Sequence, residues 1–310
     1  MAQIFVYSEI TKLSLELATA AHNLCTAGDS GVCMITINNE TQVAELAAQG
    51  LRVCNISAPD LNIADTAGMS IALQKAAEQL ETSVILLASN RRGKELAGRL
   101  AEAWGAGCLT DIKTAQLEND NLVFTRNALN GATVATQLIK SEHKVAAISP
   151  RSFPVWNGSG EGSVKTLEVE APTTIEVLEV RPKAGDTTDI QAADRLIAVG
   201  QGVENQADLE VIRKIAQALK AEIACSKPVA TDRKWFSEDR IIGLSGKICK
   251  PELAITLGIS GQVQFMVGIR DSKTIISINN DENADLNKMA DYVLAADLNE
   301  VLPELARALE

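Results

Sequence analysis

Two textures alternate along the first half of the chain. Short branched apolar runs at residues 4–7, 32–35, 53–56 and 84–88 read as buried strands. Between them, at 11–25, 41–48 and 65–80, apolar residues recur at helical spacing, with Leu13, Leu15, Leu17 and Leu24 set among alanines in the first stretch. Strands alternating with helices at this interval predict βαβ units and a parallel sheet. Ser89 or Asn90 suits the cap of a further helix running to Ala101, and residues 122–126 and 145–148 read as further strands. The texture changes after 151. Glycine and serine cluster at 157–163, and residues 166–170 and 175–180 alternate apolar with acidic side chains, as half-exposed strands do. This predicts a peripheral β-addition followed by a linker. The polar, turn-rich stretch 181–189 places the boundary between a domain at 1–188 and a second at 189–310.

In the second domain, a predicted strand at 195–199 runs into Gly200-Gln201-Gly202. The dinucleotide fingerprint fails there, because position 205 is Asn where a third glycine is required. Leu209, Ile212, Ile215, Ala216 and Leu219 then form one apolar helix face. Predicted strands follow at 222–226, 240–243, 253–257, 274–279 and 292–295, and a helix at 298–309 closes the chain. Several strands end in small or polar residues: Ser226-Lys227, the turn at 243–246, Gly258 to Gly261, Asn279-Asn280-Asp281 and Asp297. In an open parallel sheet the carboxyl edge is where ligands bind. Glycines at 258 and 261 let a backbone approach a ligand closely. The same residues fit either a cradle for a phosphate or a flavin edge, or a plain strand–helix turn.

Composition narrows the class. A chain of 310 residues is long for a single core, so two domains are expected. A net charge of −11 argues against a nucleic-acid partner and against adhesion to anionic lipid. No apolar run approaches the roughly 20 residues a membrane span needs, and residues 1–7 read as a first strand rather than a secretion signal, which places the protein in the cytoplasm. The six cysteines are scattered with no C-x-x-C pair, which fits small buried hydrophobes in a reducing compartment. With only His22 and His143, a histidine-based metal site or catalytic triad has little to build on. Arg91, Arg92 and Lys94 crowd a predicted helix N-terminus, where the dipole disfavours cations. That placement fits an anionic or inter-subunit contact, or a solvated basic turn.

Residues 195–305 resemble the FAD-binding domain of the electron transfer flavoprotein alpha subunit family, FixB-like members included. The residues that carry the resemblance are 225–227, 243–247, 251–253, 258–264, 278–281 and 290–292, in matching order and spacing. The first domain agrees more loosely, through 86–93 and Asp111. The resemblance implies an α/β fold of two domains, each a mainly parallel sheet flanked by helices, the C-terminal one doubly wound around FAD. It implies a partner beta subunit of similar architecture, which holds AMP or a second FAD. It also implies a role as electron carrier between acyl-CoA dehydrogenase-like donors and a quinone-reductase-like or other acceptor. Such a carrier needs a held flavin and no nucleophile or base.

By position, the resemblance places Ser226 and Lys227 beside the isoalloxazine and Ser245, in the turn with Ile242, Gly243 and Leu244, at its N5 or O4 edge. Ser260, Gly261, Gln262, Val263 and Gln264 would cradle the ring and ribityl chain, Asn279 would face the pyrophosphate, and Asp297 with Leu298 the adenosine end. The chain departs from the family pattern at four of its site positions. Lys227 stands for Arg and keeps the charge without the planar fork. Phe265 stands for His, Leu244 for Gln, and Gln201 for the Arg of a Gly-Arg-Gly turn, each removing a polar or cationic contact. The alternative is a nucleotide-binding oxidoreductase or adenosine-nucleotide module on the same kind of sheet, since fold alone does not decide function.

Overall fold

A computed structural model describes residues 3–25, 31–119, 121–131, 133–180 and 189–309. The chain divides into two compact units, Met1–Val180 and Arg181–Glu310. The boundary expected at 188/189 adjoins residues 181–188, which lie outside the described set.

The first unit carries β1 (Gln3–Tyr7), α1 (Thr11–Asn23), β2 (Val32–Ile37), α2 (Glu40–Ala47), β3 (Val53–Ser57), α3 (Thr66–Gln79), β4 (Thr82–Ala88), α4 (Arg91–Trp104), β5 (Gly107–Glu118), β6 (Asn121–Ala128), β7 (Thr133–Leu138), β8 (Lys144–Ile148) and β9 (Val164–Glu168). Its sheet has the order β7-β6-β5-β8-β4-β1-β2-β3-β9. Pairing is parallel from β5 through β9 and antiparallel only along β5-β6-β7. Successive strand residues point to opposite faces, so one short run serves two cores. Phe5 and Tyr7 join Met69 and Leu73 of α3 and Leu96 and Leu100 of α4 in one buried layer. Ile4 and Val6 join Leu17 and Ala21 of α1 and Val43 and Leu46 of α2 in the other.

The second unit carries β10 (Arg195–Val199), α5 (Asp208–Leu219), β11 (Glu222–Cys225), α6 (Lys227–Thr231), β12 (Leu253–Leu257), α7 (Val263–Met266), β13 (Thr274–Asn279), β14 (Tyr292–Ala295) and α8 (Leu298–Ala308). Its five strands are all parallel, in the order β11-β10-β12-β13-β14. This is a doubly wound order whose direction reverses between β10 and β12, the position where such sheets open a crevice. Ile197 and Val199 pack with residues of α5 and α8, while Leu196 and Ala198 pack with Ile242, Phe265 and Ile269 on the opposite face.

The structure departs from the predicted elements at three places. Strands β5 and β7 were not expected. β7 is exposed along most of its length, and β5 is interrupted by a register shift between Leu109 and Ile112, near Asp111 at φ 59°, so neither shows a clean alternation. Residues 175–180 form no strand and lie exposed. Residues 240–243 also form no strand. Ile241 and Ile242 make isolated bridges to Cys225 and Lys247, because the Gly243–Gly246 turn bends the chain back before a ladder can extend.

Four of the six cysteines are buried as expected, and two are not. Cys33, Cys54, Cys225 and Cys249 are buried, Cys25 is half-buried and Cys108 is exposed, and none of the six forms a disulfide.

Candidate functional site at the carboxyl edge of the second sheet

The crevice between β10 and β12 is floored by backbone. The turn after β10, Gly200-Gln201-Gly202, lies directly on Gly258, with the Gly202 N–H donating to the Gly258 carbonyl at 2.9 Å. A Cβ on Gly258 would lie 2.6 Å from the Gly202 Cα, and Gly258 itself sits at φ 61°. Both facts require glycine there. Gly261, at φ 90°, lets the chain pass Leu286, whose N–H would lie 2.1 Å from an added Cβ.

Asn279 fixes this turn from the next strand. Its Nδ2 donates to the Ile259 carbonyl at 3.0 Å and its Oδ1 accepts from the Asp281 N–H at 3.1 Å. The side chain expected to face a pyrophosphate is thus committed to bracing the Gly258–Gly261 turn. The helix after that turn, α7, has only four residues, so its end contributes little dipole.

Around this floor the structure brings most of the predicted residues together. Ser226, at the end of β11, makes no capping bond to α6, and Lys227 beside it is exposed. The Ile242–Ser245 turn docks on the α7 segment through the Leu244 N–H, which donates to the Gln264 carbonyl at 2.9 Å. Gly243, at φ 128°, permits that approach. Ser245, Ser260, Gln262 and Gln264 are exposed along the same edge. Leu244 and Val263, each 51% exposed, add an apolar surface between them. Backbone turns, uncommitted hydroxyls and amides, a lysine and an open apolar wall form the kind of surface that receives a flat heteroaromatic ring with a polar tail.

Four further predicted residues have other contacts in the structure. Phe265 is 7% exposed and packs in the apolar layer with Ile242, Ile259 and Ile269, so it anchors the turn from below. Asp297 caps α8, accepting from the Asn299 N–H at 2.8 Å, and Leu298 is buried in the α5–α8 layer. Gln201 is exposed at the turn after β10, and only its carbonyl is engaged.

The residue that engages it is Arg233, which sequence reasoning missed. Its Nη2 donates to the Gln201 carbonyl at 2.9 Å and its Nη1 donates to the Val203 carbonyl, while the guanidinium lies 4.6 Å from the Trp235 ring. A cation is therefore held at the very turn where the resemblance leads one to expect an arginine. It arrives from a different segment, and its targets are backbone carbonyls, which leave no mark in a sequence. The basic residues at 91–94 meet acids within their own unit. Arg92 lies 3.6 Å from Glu9 and Lys94 lies 2.7 Å from Asp111.

Residues 6–174 match the Electron transfer flavoprotein domain, and residues 189–270 match the Electron transfer flavoprotein FAD-binding domain. Protein FixB of Escherichia coli O6:K15:H31 (strain 536 / UPEC) is 30% identical over 311 residues, covering 99% of this chain and 98% of that protein. Protein FixB of Escherichia coli strain K12 and of Shigella flexneri are each 29% identical with the same coverage.

Proposed function

Because the chain belongs to the electron transfer flavoprotein family as an alpha subunit, we propose that it holds one FAD at the carboxyl edge of its second sheet and carries electrons without transforming a substrate of its own. The supporting observation is the glycine-floored crevice between β10 and β12, ringed by half-buried Ser226 and by exposed Lys227, Ser245, Ser260 and Gln264. The flavin supplies the redox chemistry when bound. The chain's part is to hold it. Lys227 places a cation at the edge that gains charge on reduction, the Ser245 hydroxyl offers a hydrogen bond, and Leu244 with Val263 excludes water from one face.

We further propose that the chain works in the cytoplasm, paired one-to-one with a beta subunit, and exchanges electrons with acyl-CoA dehydrogenase-like and quinone-reductase-like proteins. No helix among the described residues is long and apolar enough to cross a membrane. Leu178 and Val180 are 86% and 82% exposed, and β14 presents Tyr292, Val293 and Leu294 at its open edge. Apolar surface of that extent calls for a covering partner.

Co-expression with the beta subunit tests both readings. The expected product is a yellow heterodimer with one FAD per alpha chain, and Lys227→Ala should lower both its FAD content and its reduction potential. A colourless complex that binds only adenosine nucleotides would favour the alternative of a nucleotide-binding module.

A further inference from the structure

The opposite edge of the first sheet carries a feature that electron carriage does not use. Among the described residues, three buried side-chain polar atoms have no hydrogen-bond partner: Gln3 Oε1, Thr82 Oγ1 and His143 Nδ1. All three lie at the amino end of adjoining strands. Gln3 and Thr82 are register partners on β1 and β4, and His143 directly precedes β8, which pairs with β4 on its other side. Unpaired buried polar atoms are costly and scarce, so three on one edge point to something they are built to meet. Thr82 is only 3% exposed, and it lines, with His143, a cavity of about 560 Å3.

The walls specify the chemistry. Glu78, Glu81 and Glu142 line the cavity with no lysine or arginine beside them in the lining. The ammonium of Lys144, next to His143 in sequence, is spent on the carbonyls of Ser141 and Glu142. Helices α3 and α4 both end here, so the negative ends of two dipoles converge on the same space. Trp104 and His143 stack at 4.2 Å with an interplanar angle of 17°, giving one flat aromatic wall. Of the three unpartnered atoms, those of Thr82 and His143 belong to residues that line the cavity, and both accept hydrogen bonds, His143 Nδ1 doing so in the Nε2–H tautomer. Acceptors, carboxylates, helix C-termini and an aromatic face together select a planar cation with several N–H donors.

We propose that this cavity binds a guanidinium group, carried either by a small free molecule or by an arginine side chain of a docked chain. The experiment is a calorimetric titration of the purified protein with agmatine, with an arginine-containing tripeptide, and with n-butylurea as the uncharged analogue. Agmatine should bind at one saturable site, more weakly in high salt, and n-butylurea should not bind. Equal binding of the tripeptide identifies an arginine side chain as the source; binding of agmatine alone identifies a small molecule. The double variant Glu78→Gln/Glu142→Gln alters exposed residues and should keep the fold while weakening agmatine about tenfold. Thr82→Val should leave the ligand-free protein at least as stable as the parent yet weaken agmatine, a pairing that a purely structural hydroxyl would not produce. Absence of a saturable heat with either cation, or an affinity unchanged in the double variant, overturns the proposal. None of these readouts depends on flavin content.

Discussion

Each unit of this chain contains a mainly or wholly parallel sheet with a point where the strand order switches direction, between β1 and β4 in the first and between β10 and β12 in the second. The two reversal points are filled differently. At the first, the chain's own side chains occupy the edge. Glu9, just past β1, accepts from Asn90 Nδ2 at 3.2 Å and pairs with Arg92, while Ser89 and Lys94 both engage Asp111. At the second, the floor is glycine backbone and the rim is exposed serine, glutamine and lysine. A doubly wound topology supplies the crevice, and side-chain chemistry decides whether it stays open. One unit has closed its crevice with internal charge pairs; the other has kept it open by placing glycine where any larger residue would collide.

The largest expected effect comes from breaking that open floor. Gly258→Ala adds a Cβ against Gly202 and forces a left-handed residue. We expect a loss of about 2–5 kcal/mol of stability in the second unit together with loss of flavin binding, read by thermal unfolding and by the flavin-to-protein ratio. Unchanged values for both would mean the two turns can separate freely.

Arg233→Ala should come next. It removes two charged hydrogen bonds from the Gly200–Gly202 turn and should cost about 1–3 kcal/mol, measured by urea denaturation, with weaker FAD retention. Arg233→Lys should rescue only part of this, because an ammonium lacks the fork that reaches two carbonyls at once.

The first unit should show its dependence on charge in acid. Burial alone would raise the Asp65 carboxyl. Hydrogen bonds from the Gly68 N–H and from the hydroxyl and N–H of Thr174 more than offset this and hold it below the ordinary carboxylate range. A depressed folded-state value means the stabilisation is present in full above the unfolded-chain value of about 4 and is lost as pH falls through the folded value. Proteolysis after 174 should therefore accelerate below that pH, and Asp65→Asn should flatten the dependence. An equal acid response in both proteins would remove Asp65 as the cause.

The smallest effect belongs to the closed crevice. Glu9→Gln should change stability by no more than about 1 kcal/mol, since its pairing with Arg92 is partly exposed, and should leave flavin content untouched. A second flavin per chain in that variant would show that only the ion pair kept the first crevice shut.

Much of this was legible in the sequence, and the limits are physical. The parallel strands announced themselves because burial on both faces demands continuous branched apolar runs such as 84–88. The glycine turns were legible because backbone collisions dictate glycine. β7 was not, since neither of its faces is buried enough to impose a pattern. Residues 175–180 misled for the converse reason: their apolar–acidic alternation imitates a half-buried strand, yet the structure leaves them exposed. Phe265 was marked only as a departure from His at a motif position; its packing against Ile259 and Ile269 is something only the folded layer reveals. Arg233 could not be found at all, because what it recognises is the shape of a turn.

Strand β9 has a bearing on how the protein is made. It pairs with β3 along residues 53–57, yet Val164 follows Ser57 only after five other strands and two helices have been synthesised. On the ribosome, the apolar β3 is thus available as a bare sheet edge for most of the time the first unit takes to emerge, and closing so long a loop costs about 4 kcal/mol of chain entropy before any contact is regained. A nascent chain halted before Val164 would display that edge to every neighbouring polypeptide, which makes the arrival of a five-residue strand the event that ends the unit's exposure to aggregation.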